Sequence, residues 1–255
     1  MGNQTVIAVC GKGGVGKTVF SGAVVRVLAE RGLRVLAVDA DPALGLSYFV
    51  GLSADIKTLG QVRDDLIQRA RRDRNPEQIA GIMDYLMLEA LTETENLSFL
   101  AMGRPLSRGC FCPLNTLLKE SVKNIAQDYD VVLLDAEAGI EQINREVMSV
   151  VDTIVVLVDN SLRSRHSMDL IVRVVRELGM KARLGVVLNR RQDLGGDADL
   201  SSQHLRDLTW GVIPEDEGLL RNDALGRSVF DLPADSPILE SVRKITDILI
   251  KAQGD

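Results

Sequence analysis

A glycine-rich loop between a predicted strand and a predicted helix constrains this chain more than any other feature. The apolar run Thr5–Cys10 is rich in β-branched residues, and the pattern after the loop predicts a helix over 17–30. The loop fits G-x-x-x-x-G-K-[ST], and a strand before it and a helix after it are the context in which this motif binds phosphate. The residues of the motif are Gly11, Lys12, Gly13, Gly14, Val15, Gly16, Lys17 and Thr18.

Three properties of this loop predict a nucleoside triphosphate bound together with Mg²⁺. The glycines allow the main chain to turn several N–H groups toward phosphate oxygens. Lys17 is expected to neutralise the β- and γ-phosphates, and the Thr18 hydroxyl is expected to ligate Mg²⁺. The N-terminus of the following helix adds the positive end of its dipole.

Seven apolar, β-rich runs alternate with helical patterns along the chain. Most runs are continuous, which is typical of strands buried on both faces of a parallel sheet. We therefore expect a doubly wound α/β fold, a mostly parallel sheet flanked by helices, with ligands beyond the carboxyl ends of the strands. The 255 residues and the lack of a linker favour one domain over residues 1–255. The runs are Thr5–Cys10, Arg34–Val38, Leu97–Met102, Asp130–Leu134, Thr153–Val158, Arg183–Leu188 and Thr209–Ile213.

The region 52–96 differs from the rest because its pattern predicts two helices, near Thr58–Arg72 and Pro76–Leu91. Residues 69–74 are the most basic run of the chain. This run is either a solvated helix face or a docking surface for an acidic partner.

Composition and charge exclude several classes of protein. The net charge of −6 argues against non-specific binding to nucleic acid or to anionic membrane. No basic segment followed by an apolar one marks a signal peptide, and no apolar run approaches the ~18 residues of a membrane span. Three cysteines do not suggest a disulfide scaffold. We expect a cytoplasmic protein without nucleic-acid or membrane partners.

The second lysine of the loop, Lys12, makes the motif read K-G-G-x-G-K-[ST]. In this the sequence resembles the deviant Walker A branch of the P-loop ATPases. That branch includes the MinD and ParA positioning ATPases, the nitrogenase iron protein, the arsenite and tail-anchored-protein ATPases and the CooC-type nickel-insertion ATPases. The resemblance implies an ATP-dependent homodimer in which Lys12 reaches the partner's ATP and stabilises the transition state. Val19 departs from the usual Thr or Ser, so only its backbone can contact the α-phosphate.

Three aspartates match acidic positions of this branch. Asp41 stands where the family places the residue that positions or deprotonates the attacking water, chemistry that a carboxylate near a γ-phosphate can perform. Asp39 would approach the Mg²⁺ site, although either residue could instead cap the following helix. Asp135 ends an apolar strand in the Walker B form and should hold Mg²⁺, directly or through water.

Further matches concern the γ-phosphate and the base. Gly139, in the run Ala136–Glu141, offers an N–H for the γ-phosphate, and this run resembles the CooC type rather than MinD. Asn189 resembles the adenine-contacting Asn of the branch, and Gln192 replaces the Asp that a guanine-binding motif has, so ATP is favoured over GTP. A later loop resembles the one that packs on the base. Its residues are Pro214, Glu215 and Asp216.

Cys110 and Cys112 form a C-x-C motif in a predicted loop between Gly109 and Pro113. By itself the motif indicates either two buried or redox-paired cysteines or a metal site. One chain offers two thiolates, but two chains offer four, a set suited to Zn²⁺, to an iron–sulfur cluster or, if planar, to Ni²⁺. We interpret Cys10, by contrast, as a packed core thiol.

The resemblance implies that the C-x-C binds Ni²⁺ or Zn²⁺ shared across the dimer, because CooC-type ATPases carry the motif at this place. The function predicted is an ATP-hydrolysing, dimerising metallochaperone that inserts nickel into a client enzyme of the carbon monoxide dehydrogenase/acetyl-CoA synthase type. Two alternatives are an ATP-gated electron-transfer protein like the nitrogenase iron protein and a MinD/ParA-type positioning ATPase. The nitrogenase iron protein spaces its cluster cysteines far apart in sequence, unlike the C-x-C of this chain. A positioning ATPase should bind membrane or DNA, which the net charge disfavours.

Overall fold

The apolar runs of the sequence form one mostly parallel sheet. The structure, a computed structural model, describes residues 4–52, 55–72, 76–95, 97–103, 120, 122–136, 151–191 and 207–250. Within these residues the sheet has eight strands in the order β3-β4-β2-β5-β1-β6-β7-β8. The strands are β1 (Thr5–Gly11), β2 (Val35–Asp39), β3 (Thr92–Glu93), β4 (Ser98–Ala101), β5 (Val131–Asp135), β6 (Thr153–Val158), β7 (Arg183–Asn189) and β8 (Thr209–Ile213).

All seven predicted strands are confirmed, most of them within one residue of their expected ends. Every pair of neighbouring strands is parallel except β3 and β4, which are antiparallel. The sequence did not predict β3, because two residues are too few to show a periodicity.

Helices cover both faces of the sheet in the described part of the chain. The predicted helix over 17–30 is confirmed, and the two helices of the region 52–96 begin and end within one residue of their expected limits. Arg69 is exposed, as a solvated helix face requires, whereas the side chains at 70–74 lie outside the described part. The helices are α1 (Lys17–Glu30), α2 (Gly45–Phe49), α3 (Leu59–Arg72), α4 (Pro76–Ala90), α5 (Leu162–Glu177), α6 (Glu217–Ala224) and α7 (Pro237–Ile250). Helical residues also lie at 122–126, and a 3-10 turn spans Val229–Asp231.

The core consists of two apolar clusters, one on each face of the sheet. Alternate residues of β1 enter opposite clusters: Ile7 and Val9 pack with α1 and α7, whereas Ala8 and Cys10 pack with α3, α4 and α5. Burial on both faces explains why the strands read as continuous apolar runs. The apolar side of α7 is itself buried against α1 and β8.

The central position of β1 determines where a ligand can bind. β1 lies between β5 and β6, and it pairs in parallel with both. The chain passes to β2 on one side of β1 and later to β6 and β7 on the other, so the crossovers diverge at the carboxyl end of β1. This is the topological switch point at which open α/β sheets bind ligands, and the glycine-rich loop begins there.

Candidate functional site

Left-handed backbone at three glycines shapes the loop between β1 and α1. The φ angles are 142° at Gly11, 78° at Gly14 and 96° at Gly16, values that side chains with a Cβ rarely adopt. The loop closes through a hydrogen bond from the Val15 N–H to the Lys12 carbonyl at 3.3 Å. This backbone is compatible with the motif's prediction that the loop N–H groups and the N-terminus of α1 bind phosphate together.

Lys17 and Thr18 begin α1 at the mouth of this loop. The Lys17 side chain is buried, and its ammonium group donates to the Lys12 carbonyl at 3.3 Å, which holds the charge inside the loop. The Thr18 hydroxyl donates to the Asp135 carboxylate on β5. The partly buried side chain of Val19 packs on the core.

Asp135 and Asp39 end neighbouring strands and lie opposite each other in the register of β5 and β2. Both are buried, and burial raises the pKa of Asp135 to about 7 and that of Asp39 to about 6. Ser21 donates to Asp135 at 3.0 Å, and Asp39 accepts the N–H groups of Asp41 at 2.9 Å and Leu46 at 3.0 Å. Lys17 favours the ionised form of Asp135, and a metal cation bound beside the two carboxyl groups would favour it further.

The donor set beside the loop fits Mg²⁺. It combines carboxylate oxygens from two strands with the Thr18 hydroxyl, and hard oxygen donors are the ligands that Mg²⁺ takes together with substrate phosphates. Asp135, next to Thr18, would hold the ion, while Asp39 fixes the loop that leads to α2. Asp39 therefore performs at least the capping role: its second oxygen accepts from Leu46 in the first turn of α2.

Asp41 lies in the loop between β2 and α2, where its carboxylate accepts the Ala43 N–H at 2.8 Å. The loop continues into Leu44, whose φ of 56° is unusual for a branched residue and whose N–H donates to the Asp41 carbonyl. Asp41 is partly exposed at the same sheet edge as the phosphate loop. A carboxylate at that edge is accessible to water.

Asn189 contacts the phosphate loop in addition to ending β7. Its Nδ2 donates to the Val15 carbonyl at 2.8 Å, and its Oδ1 accepts the N–H of Arg190, which has a φ of 59°. A Cβ on Gly16 would lie 2.4 Å from the same Nδ2. Asn189 therefore positions the loop, a role that the sequence did not predict.

The loop after β8 begins with Pro214, which is partly buried, and Glu215, which is exposed. Asp216 is buried and serves as a cap for two helices. Its carboxylate accepts the Leu219 N–H of α6 at 3.0 Å and the Ile238 N–H of α7 at 3.2 Å. Because both oxygens bind amides, the base contact expected of this residue would have to come from its backbone.

Lys12 turns back toward the end of β6 in the same chain. Its Nζ lies 3.7 Å from Asp159 Oδ2 and donates to Ser161 Oγ at 3.4 Å. Sequence reasoning missed both partners. One signal was present: Asp159 directly follows the apolar strand β6, just as other acids of the site close β2 and β5.

Several predicted residues lie outside the described part of the chain, namely Cys110, Cys112, Gly139 and Gln192. Within the described part, no group of three or more His, Cys, Asp or Glu residues could hold a metal by itself. Cys10 is buried, and burial raises the pKa of its thiol to about 12, which agrees with a packed core thiol rather than a thiolate ligand.

Comparisons with known proteins identify the family of this chain. The family model of the CobQ/CobB/MinD/ParA nucleotide binding domain matches residues 6–229. An uncharacterised ATP-binding protein of Methanocaldococcus jannaschii is 32% identical over 250 residues, covering 96% of this chain and 98% of its own. The carbon monoxide dehydrogenase accessory protein CooC of Rhodospirillum rubrum is 30% identical over 238 residues, covering 89% of each chain.

Solved structures of MinD proteins have a similar fold. The MinD cell division protein of Aquifex aeolicus superposes with a TM-score of 0.68 at 21% identity, covering 98% of this chain and 99% of its own. Among the described residues, no helix is both long and apolar enough to cross a membrane. The family match covers most of the sequence, and the chain has the phosphate loop with paired acids beside it. The chain therefore belongs to the CobQ/CobB/MinD/ParA nucleotide-binding family and is a P-loop ATPase.

Proposed function

We propose that this ATPase is a cytoplasmic, dimerising metallochaperone that couples ATP hydrolysis to nickel insertion. Its client would be an enzyme of the carbon monoxide dehydrogenase/acetyl-CoA synthase type. The observation that carries the proposal is the pair Cys110 and Cys112 in a chain whose relative in Rhodospirillum rubrum is a carbon monoxide dehydrogenase accessory protein. A C-x-C motif is not needed for ATP hydrolysis, and metal binding by its two thiolates would give it a role.

The nucleotide half of the function rests on the oxygen and nitrogen donors beside the loop. Lys17 neutralises the phosphates, Thr18 and Asp135 hold Mg²⁺, and Asp41 orients or deprotonates the attacking water. Lys12 acts on the ATP of a second chain, where a fixed cation stabilises the charge of the transition state. Asn189 and the loop from Pro214 enclose the base.

The metal half rests on thiolate chemistry. Each protomer contributes Cys110 and Cys112, and two protomers supply the four sulfur ligands that Zn²⁺ or Ni²⁺ accepts. The metal is cargo, so a site shared between two chains has a physical advantage. When ATP hydrolysis separates the chains, each keeps only two ligands and the ion can pass to the client.

A MinD/ParA-type positioning ATPase is the second candidate, and the fold relatives among MinD proteins favour it. Two observations oppose it. The apolar side of α7, near the C-terminus, is buried in the core and is not available to a lipid surface. The net charge of −6 disfavours both DNA and anionic lipid.

The test is the metal stoichiometry of anaerobically purified protein, measured with ATP and without it. The metallochaperone predicts one Ni²⁺ or Zn²⁺ per two chains, and Cys110→Ser or Cys112→Ser each abolishes tight binding. Cys10→Ala is the control, because Cys10 is buried in the core and should not affect metal content. One metal per chain would contradict the shared site, a brown iron–sulfur chromophore would support the electron-transfer alternative, and metal-free wild-type protein would favour a positioning ATPase.

A further inference from the structure

We propose that Ser21 is a positioning residue for the Mg²⁺ site, because its hydroxyl anchors one oxygen of the Asp135 carboxylate and so orients that side chain toward the ion. The inference rests on the proposed role of Asp135 as a Mg²⁺ ligand. Ser21 lies on α1 and Asp135 ends β5, and the Ser21 hydroxyl donates to Asp135 Oδ1 at 3.0 Å. The phosphate-loop motif ends at Thr18, so it gives Ser21 no role.

Ser21 is a polar residue in a part of α1 that is buried throughout. All residues from 20 to 28 are buried, and Ser21 is fully so. A buried hydroxyl lowers stability unless it is hydrogen-bonded, and an alanine at this position would carry no such cost. Serines inside helices often bond to the carbonyl four residues back, whereas this hydroxyl donates to a carboxylate on another element. The bond to Asp135 therefore gives the hydroxyl at this position its role.

This hydrogen bond acts on the part of Asp135 that the main chain leaves free to turn. The Asp135 backbone is held on both sides, because it lies opposite Val9 of β1 and Asp39 of β2. Its carbonyl also accepts the Ala40 N–H at 3.0 Å. The carboxylate could still rotate about its side-chain bonds. A fixed Oδ1 restricts that rotation and so restricts where the second carboxylate oxygen lies.

The Thr18 hydroxyl donates to the same carboxylate, but Thr18 is also expected to bind the ion. Thr18 and Ser21 are three residues apart and therefore lie on the same face of α1. Ser21 lies about one turn further into the helix and has no exposed surface, so its hydroxyl can hold Asp135 whether or not the ion is bound. Groups that hold a metal ligand in this way typically contribute about 10- to 100-fold to metal affinity.

The test is the ADP affinity of the full chain, measured by calorimetry with Mg²⁺ and with EDTA. The ratio of the two affinities gives the contribution of the ion. In Ser21→Ala this ratio should fall by on the order of tenfold, while the ADP affinity in EDTA stays at the wild-type value. Ser21→Cys, which is similar in size but donates weakly, should retain more of the ratio than Ser21→Ala. An unchanged ratio in Ser21→Ala would overturn the positioning role.

Two further variants separate this role from a loss of stability and from a failure of the proposed site. Ser98 is buried at the amino end of β4, the sheet edge away from the phosphate loop, and its hydroxyl bonds to the Tyr129 side chain. Ser98→Ala should lose stability but keep the Mg²⁺ ratio, and an equal fall in both serine variants would overturn the inference. If Asp135→Asn keeps the wild-type ratio, Asp135 is not a Mg²⁺ ligand and the proposed site is wrong. If Asp135→Asn loses the ratio and Ser21→Ala keeps it, only the role of Ser21 is wrong.

Discussion

Asp39 and Asp135 lie directly opposite each other on β2 and β5, and both carboxyl groups are buried at the edge where the phosphate loop begins. Burial raises the pKa of Asp39 to about 6 and that of Asp135 to about 7. Two adjacent acids in this environment resist ionising together unless a cation joins them. Mg²⁺ beside Asp135 would favour the ionised form of both carboxyl groups.

The first prediction concerns stability against pH in the absence of nucleotide and Mg²⁺. Because the folded pKa of Asp135 lies above the unfolded value, the folded state binds more protons above pH 4, and stability falls as pH rises to about 7. Asp135→Asn should remove much of this loss and stabilise the apo protein at pH 8 by on the order of 2 kcal/mol. Urea unfolding at pH 5 and pH 8 with EDTA measures the pH dependence of wild-type stability and the effect of the substitution.

Asp130→Asn is the control for that experiment. Hydrogen bonds from Arg34 lower the pKa of the exposed Asp130 carboxyl, so its loss should not stabilise the protein at pH 8. Added Mg²⁺ and ATP should stabilise the wild-type protein at pH 8, because bound ligand favours the folded state. The same addition should not stabilise Asp135→Asn. Wild-type stability that is equal at pH 5 and pH 8 would contradict the prediction.

The second prediction compares two glycines of the loop. A Cβ at Gly16 would lie 2.4 Å from Asn189 Nδ2, and the φ of 96° there is itself unfavourable for alanine. Gly16→Ala should destabilise the nucleotide-free protein by at least about 2 kcal/mol. A Cβ at Gly13 meets nothing within 4 Å, so Gly13→Ala should change stability by less than about 1 kcal/mol. Thermal unfolding of both variants tests the pair, and equal losses would refute the contact with Asn189.

The third prediction separates binding from hydrolysis. Lys17→Ala removes the buried ammonium at the mouth of the loop and should abolish ATP binding in calorimetry. Asp41→Asn should bind ATP normally and hydrolyse it at least about 100-fold more slowly, as loss of a general base does. Asp169→Asn, an exposed change on α5 outside the predicted site, should match wild type in both assays. Normal turnover in Asp41→Asn would remove that residue from the mechanism.

The fourth prediction concerns a buried hydroxyl of α7. Thr246 is fully buried, and its Oγ1 has no hydrogen-bond partner among the described residues. Thr246→Val keeps the shape and removes the unsatisfied group, so it should stabilise the protein by about 1 kcal/mol. Ser21→Ala removes a buried hydroxyl that does donate, to Asp135, and should destabilise. Urea unfolding of both variants distinguishes the cases, and destabilisation by Thr246→Val would show that the hydroxyl has a partner.

Local features of the sequence were sufficient for the secondary structure and for the phosphate loop. The strands could be predicted because β1, like its neighbours, is buried on both faces and reads as one apolar run. The loop could be predicted because left-handed backbone at Gly14 and Gly16 requires glycine, and Lys17 and Thr18 follow at fixed spacing. Both signals depend on residues close together in the chain.

The tertiary structure alone decided which distant groups meet. Asp39 faces Asp135 because β5 inserts between β2 and β1, and nothing in either segment encodes that order. Asn189 reaches the Val15 carbonyl, and Lys12 reaches Asp159, because β6 and β7 lie beside β1 with their carboxyl ends at the same edge. Side-chain periodicity within a segment determines that the segment forms a strand. Which strands lie beside it depends on the direction of each crossover and on the packing of both sheet faces.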